Sequence, residues 1–464
     1  MSEFFLELFS EEIPSSLQKN VREDLLKSFN NLFLEKSITF KKSSSYSTPN
    51  RLIIVFEGVQ KQVVIKADEI KGPNIKSPEV ALEGFIRSNK IVKKDLYEKE
   101  TEKGKFYFFK TKSKKLNTHQ ILERFLPILL QKIQWKKSMC WGNFDLNWGR
   151  PLKSILAIFD KKKLNFNFHH LESSNSTFVD KEFEENKKIF TDYRSYKKFF
   201  KSLDIIIDHN ERRNLIEKKF DKTLKDKNIK IDHNPKLLDE VVDLTDVPNV
   251  IICEFDKKFL NIPKEILIIT MQHHQKYFPT FDEIGNITNK FLVVANKKDK
   301  KGLIKLGNER VVEARLSDAE FFWKKDKSQN MLKKVTNLKL MNYFKGLGTY
   351  FDKAQRMRKL GGMISDELLI SKEKVELSAS ICKVDLLSEI VGEFPELQGI
   401  MGGYFASEQG FDKDLALALS EQYLPIGSGS KIPKKPFSIA LSLADKIDTL
   451  VGFFGLNQKP TSSK

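Results

Sequence analysis

Residues 307–326 read GNERVVEARLSDAEFFWKKD. Written on a helix, the stretch puts Val312, Leu316, Ala319 and Trp323 on one face at i, i+4, i+7 and i+11, and Arg315 with Asp318 on another. Two arginines here break a habit of the chain, which has only twelve arginines among its 80 basic residues. Where lysine is the default, an arginine marks a place that needs a planar, forked, permanently charged group. Arg51, Arg150, Arg212, Arg310, Arg315 and Arg356 therefore carry more information than any lysine. Two uses stand open for the pair: ion pairs at i, i+3 (Arg310 with Glu313, Arg315 with Asp318), or contact with a phosphate. The stretch also decides the fold, because strand-like patterns precede it and helical ones follow.

Working back from it, NVIICEF (249–255) and KFLVVANKK (290–298) have the composition of strands, and PKEILIITMQHHQKYF (263–278) that of a helix opening on proline. Residues 161–235 are lysine-rich, with a helix expected over 210–227. In the first third, FFLELF (4–9), RLIIVFEGV (51–59) and PLKSILAIFD (151–160) are expected strands. Residues 15–35 and 118–135 are expected helices, the second made irregular by its proline. SSSYSTPN (43–50) has the composition of a loop. Beyond 326, VELSASICKVDLLSEIV (375–391) reads as one buried helix. In IALSLADKIDTLVGFF (439–454), Ala440, Leu443, Ala444, Ile447, Leu450 and Val451 form the apolar stripe. KGLG (345–348) and GIMGGYF (399–405) read as turns or close-packing positions. The expected fold is α+β and multidomain: α/β domains over 1–160 and 161–325, then an all-helical domain over 326–464.

A hydrophobic fraction of 40% and a charged fraction of 31% fit a soluble globular protein, and no apolar run has the length of a membrane span. The N-terminus lacks the basic region of a signal peptide. Cys140, Cys253 and Cys382 lie far apart with no CxxC spacing, which argues against a disulfide framework or zinc site and fits buried thiols in a reducing cytosol. A net charge of +18 favours an acidic partner, nucleic acid first, although a lysine-biased genome would give the same excess.

There is no GxxxxGK[ST] loop and no GxGxxG after a strand, so an ATP site has no visible basis. His273 and His274 are adjacent and point about 100° apart on a helix, a poor metal chelate. Asp385, Asp445 and Asp448 suggest a metal-dependent phosphohydrolase of the HD type, but no histidine follows His274 to supply neutral ligands. The aspartates are instead expected to cap helices or to pair with Lys383 and Lys446. These residues describe a basic protein without a self-contained active site.

Several stretches, in order, resemble the β subunit of bacterial heterotetrameric glycyl-tRNA synthetases. They are FFLELFSEEIPSS (4–16), STPNRL (47–52), KGP (71–73), LEGF (82–85), KSMCWG and GRP (137–142, 149–151), LLDEVVDLTDVPNV (237–250), KFLNIPKEILIITMQHHQKYFP (258–279), the 307–326 stretch, KVDLLSEIVGEFPELQGIMGGYFA (383–406), EQYLP (421–425) and ADKIDTLVGFFG (444–455). The resemblance implies a subunit that contributes tRNA recognition to an α2β2 assembly in the cytoplasm. ATP, Mg and glycine would be bound by the α subunit, with no cofactor on this chain. It implies a degenerate HD-like helical domain in which Asp385, Asp445 and Asp448 are remnants. It also implies continuation into an anticodon-binding region, so that the chain is expected to be an N-terminal fragment. Arg51, Arg150, Lys276, Tyr277, Arg310 and Arg315 are the candidates for contact with tRNA or the α subunit; the alternative is a scaffold that docks the catalytic subunit without specific RNA contact. The chain departs from the family at Asn50 and Cys140, where arginine is usual, and around Thr177–Asp180, where a Gly-His-Arg-Phe segment is not recognisable.

Overall fold

Alternation of apolar residues is invisible in the strand Glu3–Ser10, because seven of its eight residues are buried. Such a run belongs to a sheet covered on both faces. In the computed structural model this strand is central to a seven-stranded sheet ordered Asn167–Phe168, Leu171–Ser174, Leu152–Phe159, Glu3–Ser10, Arg51–Glu57, Lys42–Thr48, with Lys162–Lys163 paired to Leu152–Phe159. The structure describes residues 2–65, 69–102, 104–111, 114–179, 186–232 and 234–458.

The chain divides into two compact units, one of residues 1–219, 234–249 and 294–298, the other of 220–233, 250–293 and 299–464. In the first, register sets the two faces of the sheet. Phe4, Leu6, Leu8, Leu52, Ile54, Ile155 and Ala157 pack beneath the helices Ser15–Glu35 and Thr118–Gln131, the latter with Pro127 inside it. Phe5, Ile53, Val55, Leu156 and Ile158 meet Tyr196 and Phe200 of the helix Tyr193–Ser202. Glu7 and Arg51 lie on that second face, since Glu7 stands opposite Ile53 and Phe9 opposite Arg51. A separate three-stranded sheet, Glu69–Asn74, Gly104–Lys110 and Leu96–Thr101, is accompanied by the helix Glu79–Asn89. The serine-rich stretch is not a loop. Lys42–Thr48 is an edge strand in full register with Arg51–Glu57, and only 49–50 form the turn. Composition signals a turn, whereas the pairing partner supplies the backbone hydrogen bonds that composition cannot foresee.

The second unit contains most of a sheet ordered Lys230–Ile231, Phe278–Phe281, Ile287–Ala295, Asn249–Glu254, together with a helical assembly sharing its core. The helix Leu303–Lys327 buries Val312, Leu316, Ala319 and Trp323, the face set out above, with Trp323 stacked on Phe405 at 5.7 Å between ring centroids. The helix expected over 263–278 is shorter. Lys264–Ile269 passes into a π-helical turn, Thr270–His274, and the chain leaves through Lys276 at φ 59° into the strand Phe278–Phe281. The helix expected over 375–391 is broken: Lys372–Ile381 ends, Val384–Leu387 makes a 3-10 turn, and Ser388 caps the helix Glu389–Glu393 by accepting from the Val391 N–H. Gly346 and Gly348 take positive φ in the turn between Asn342–Phe344 and Gly348–Thr349, and Gly403 lets Ile400–Glu408 press against Lys413–Glu421. Pro436–Gly455 is helical, but Leu443, Ile447, Leu450 and Val451 face outward; Leu441, Asp445 and Asp448 are inside with Ala440 and Ala444. Among the described residues no helix is long and apolar enough to cross a membrane. Cys253 and Cys382 are buried, while Cys140, expected inside, is exposed.

Candidate functional site

The arginines singled out by their rarity separate into two kinds. Arg51 is 3% exposed and is enclosed in the first unit. It donates to the Glu7 carboxylate, to Thr177 Oγ1 at 3.3 Å and to the Phe178 carbonyl at 2.7 Å. Its plane lies between Phe9 and Phe200, 4.5 Å from each ring centroid. Tyr196 donates to the same Glu7 carboxylate at 2.6 Å, and burial first, then that carboxylate, push its phenol well above the ordinary tyrosine range. Thr177 and Phe178, within the departure noted above, therefore line an arginine socket; Asp180 lies outside the described residues.

Arg212 is fully buried in the same unit and donates to four carbonyls, of Val242, Ile206, Ile207 and Ser47, at 2.7 to 3.0 Å. Burial pulls its guanidinium down to about 10, against the pull of Asp243 and Asp246. Beside it, Arg22 reaches Ser47 Oγ at 2.5 Å and Asp243 at 3.5 Å. Asn50 donates to the Ser10 carbonyl at 3.1 Å. Arg150 is half-buried and donates to the Gly149 carbonyl at 2.9 Å.

In the second unit, Tyr277 is 6% exposed, stacks on Phe291 at 5.2 Å and donates to the Asn308 side chain. Burial pushes its phenol up to about 12. That bond ties the Lys276–Tyr277 segment to the helix that carries Arg310 and Arg315. Arg310 and Arg315 themselves are exposed on it, and neither pairs with another described residue, so the bridges to Glu313 and Asp318 are not made. Leu303, Leu306, Val311 and Phe321 of the same helix are also exposed. His273 lies 3.2 Å from Glu396, and His274 sits edge-on to Phe394.

Asp445 and Asp448 come together, Asp445 with the expected Lys383 and both with Lys353, which the sequence did not single out. Lys353, 3% exposed, places Nζ 3.1 Å from Asp448, 3.3 Å from Asp445 and 2.9 Å from Thr449 Oγ1. Lys383, 1% exposed, reaches Asp445 at 2.8 Å, Gln422 at 2.9 Å and Tyr423 at 2.8 Å. Arg356 closes the cluster with Nε 2.5 Å from Asp448 and a bond to the Leu347 carbonyl. Burial disfavours the Asp445 charge, but Lys383 and Lys353 outweigh it and hold the carboxyl below its ordinary range. Lys383 is likewise held above the lysine range by Tyr423, Cys382 and Asp445 despite its burial. Asp385 is on the 3-10 turn, accepting from the Gly399 N–H, and burial raises it to about 6. The expected Lys446 pairing does not form: that ammonium donates to the Tyr423 and Leu424 carbonyls. Among the described residues no three of His, Cys, Asp or Glu form a group that could hold a metal ion.

Both units thus spend buried arginine and lysine on internal carboxylates and carbonyls, and the helix Leu303–Lys327 turns its unpaired arginines outward. This is a basic α/β protein with charge locks inside and cationic and apolar side chains outside. The chain belongs to the glycyl-tRNA synthetase beta subunit family, whose model matches residues 4–464. It is 36% identical over 466 residues to the glycine–tRNA ligase beta subunit of Rickettsia felis, covering all of this chain and 69% of that protein. The corresponding figures are 35% and 69% for the protein of Rickettsia akari, and 36% and 70% for that of Rickettsia bellii.

Proposed function

We propose that the chain serves glycyl-tRNA synthesis as the β subunit of glycine–tRNA ligase, binding tRNA for a partner α subunit in an α2β2 assembly in the cytoplasm. The family match over residues 4–464 carries this reading. The unpaired, exposed Arg310 and Arg315 support a polyanion partner, since a guanidinium already in water gives up no internal bond to meet a phosphate. In this reading ATP and Mg belong to the α subunit, and this chain positions tRNA rather than reacting with it. The helical part is read as a degenerate HD-like domain. Buried Asp385, Asp445 and Asp448 support that reading, with ammonium groups of Lys353 and Lys383 lying against the last two. A second reading, a scaffold that docks the catalytic subunit without specific RNA contact, is favoured by the enclosure of Arg51.

Titrating the chain, with and without its α subunit, with glycine-accepting tRNA and with an unrelated tRNA over a salt series tests the proposal. Preference for the glycine acceptor together with a steep salt slope is the expected result. Equal, weak binding of both, with glycylation by the reconstituted assembly intact, would leave the scaffold.

A further inference from the structure

The three-stranded sheet of Glu69–Asn74, Gly104–Lys110 and Leu96–Thr101 takes no part in the locks described above. Its register sorts side chains by face. Tyr97 stands opposite Phe108, and Lys99 opposite Phe106. Lys71 stands opposite Phe108, and Glu69 opposite Lys110. Cross-strand partners share a face, and residues two apart along a strand share it too. One face therefore carries Tyr97, Phe106 and Phe108 with Lys71, Lys99 and Lys110, and only one acid, Glu69. The other carries Ile70, Leu96 and Phe109, with Phe109 edge-on to Phe85 of the helix Glu79–Asn89 at 5.8 Å. Glu98 and Glu100 fall on that helix-side face as well.

On the aromatic face Phe108 is buried, 8% exposed. Tyr97 is 37% exposed and lies flat on Phe108, with centroids 6.3 Å apart. Phe106 is half-buried. Lysines lie over the rings: Lys71 Nζ is 3.5 Å from the Phe106 centroid and Lys99 Nζ 5.6 Å from that of Phe108. Lys99 is shared with Glu69 at 2.5 Å. Flat rings bordered by flexible cations, with Glu69 the acid on this face and Glu98 and Glu100 on the reverse one, match the two needs of an unpaired nucleotide run: π surfaces for bases and ammonium groups for phosphates.

We propose that this sheet is a stacking platform for unpaired nucleotides of RNA, with Tyr97 and Phe106 as the base-stacking rings and Lys71 and Lys99 as the phosphate contacts. The inference rests on the reading of the chain as a tRNA-binding subunit and adds where, and in which structural state, RNA is held. Bases inside a duplex hide their faces, so the platform selects loops and single-stranded ends.

The test uses the full chain and a short fluorescent oligoribonucleotide, single-stranded or annealed to its complement, with tRNA in parallel. Wild type is expected to prefer the single strand. Tyr97→Leu with Phe106→Leu keeps apolar bulk on the sheet but removes both π faces. It should weaken single-strand binding roughly tenfold or more, with an unchanged salt slope. Lys71→Gln with Lys99→Gln should instead flatten the slope of log K against log salt by about 1.4, roughly 0.7 for each phosphate that is no longer neutralised. Tyr97→Trp should keep affinity, and its indole emission should change as the single strand is added. Leucine variants that bind single strand and tRNA as wild type does, while wild type binds both, overturn the platform and leave the tRNA-binding reading standing. Wild type binding neither RNA overturns both. Leucine variants that lose the α subunit but keep RNA make the face a protein dock, which also overturns the proposal.

Discussion

Lys353 Nζ lies 3.1 Å from Asp448 Oδ2, and both side chains are 3% exposed. A buried ion pair of this kind adds little over an apolar pair of the same shape, yet losing one partner strands the other charge. Lys353→Met is therefore expected to destabilise the second unit by about 3 kcal/mol, because Asp448 keeps Arg356 but the carboxylates of Asp445 and Asp448 lose their shared cation. Adding Asp448→Asn should recover part of the loss, giving a coupling of about 1 kcal/mol or more in urea unfolding of the four-member cycle. Strictly additive effects would mean that the pair is not coupled.

Arg51 is tested by a split between stability and binding. Its removal leaves Glu7, 1% exposed, with Tyr196 as its remaining donor, so Arg51→Met should cost about 3 to 5 kcal/mol in the first unit. Arg51→Lys should rescue only part of this, since one ammonium cannot reach Glu7, Thr177 and the Phe178 carbonyl in the plane that Phe9 and Phe200 enclose. A variant of wild-type stability with weakened tRNA affinity would return Arg51 to the RNA-contact candidates.

Arg310 and Arg315 should behave in the opposite way. Both are exposed and unpaired among the described residues, so Arg310→Gln and Arg315→Gln should each leave unfolding within about 0.5 kcal/mol of wild type. If they contact phosphates, each should lower the salt slope of tRNA binding by about 1 and weaken binding across sequences alike. An unchanged slope with weaker capture of the α subunit would assign them to a protein interface.

These outcomes bear on what was legible beforehand. The buried face of Leu303–Lys327 follows from a 3.6-residue period, a local property that survives folding unchanged. The edge strand Lys42–Thr48 does not, because its hydrogen bonds come from a partner strand and its composition alone says loop. The break at Asp385 rests on a serine cap and a 3-10 turn inside a run apolar enough for one helix. On Pro436–Gly455 the apolar stripe suggested the core side, yet Asp445 and Asp448 take the inside because Lys353 and Lys383 meet them there. Lys383 was an expected partner of these aspartates, whereas Lys353 carried no signal in a lysine-rich chain. Arginine rarity located Arg51, Arg212 and Arg356 as special positions without telling a phosphate from an internal carboxylate or carbonyl.

Acid should loosen the first unit through His209. Burial, then the charges of Arg22 and Arg212, push its imidazole down to about 4 from an ordinary 6.5. Between these values the unfolded chain holds the proton and the folded chain does not, so stability falls as pH drops from about 6.5 to about 4. The full shift corresponds to at most about 3 kcal/mol. His209→Gln should flatten this part of the curve, measured as urea midpoints at closely spaced pH. An equally steep curve in the variant would place the titration elsewhere.

The closest backbone approach in the helical part gives the last expectation. A Cβ on Gly403 would lie 1.8 Å from Ser420 Oγ and 2.6 Å from the Ala416 carbonyl oxygen. The hydroxyl can be removed, but the carbonyl belongs to the helix Lys413–Glu421 and moves only if that helix does. Gly403→Ala should gain up to about 1 kcal/mol from helix propensity and lose more to overpacking. The net result should be a destabilisation of about 1 to 3 kcal/mol. Adding Ser420→Ala removes the nearer clash but not the carbonyl contact, so it should restore only part of the lost stability. Full restoration would show that the side chain, not the helix backbone, sets the spacing of Ile400–Glu408 and Lys413–Glu421. Thermal unfolding of the single and double variants, side by side with Ser420→Ala alone, separates the two.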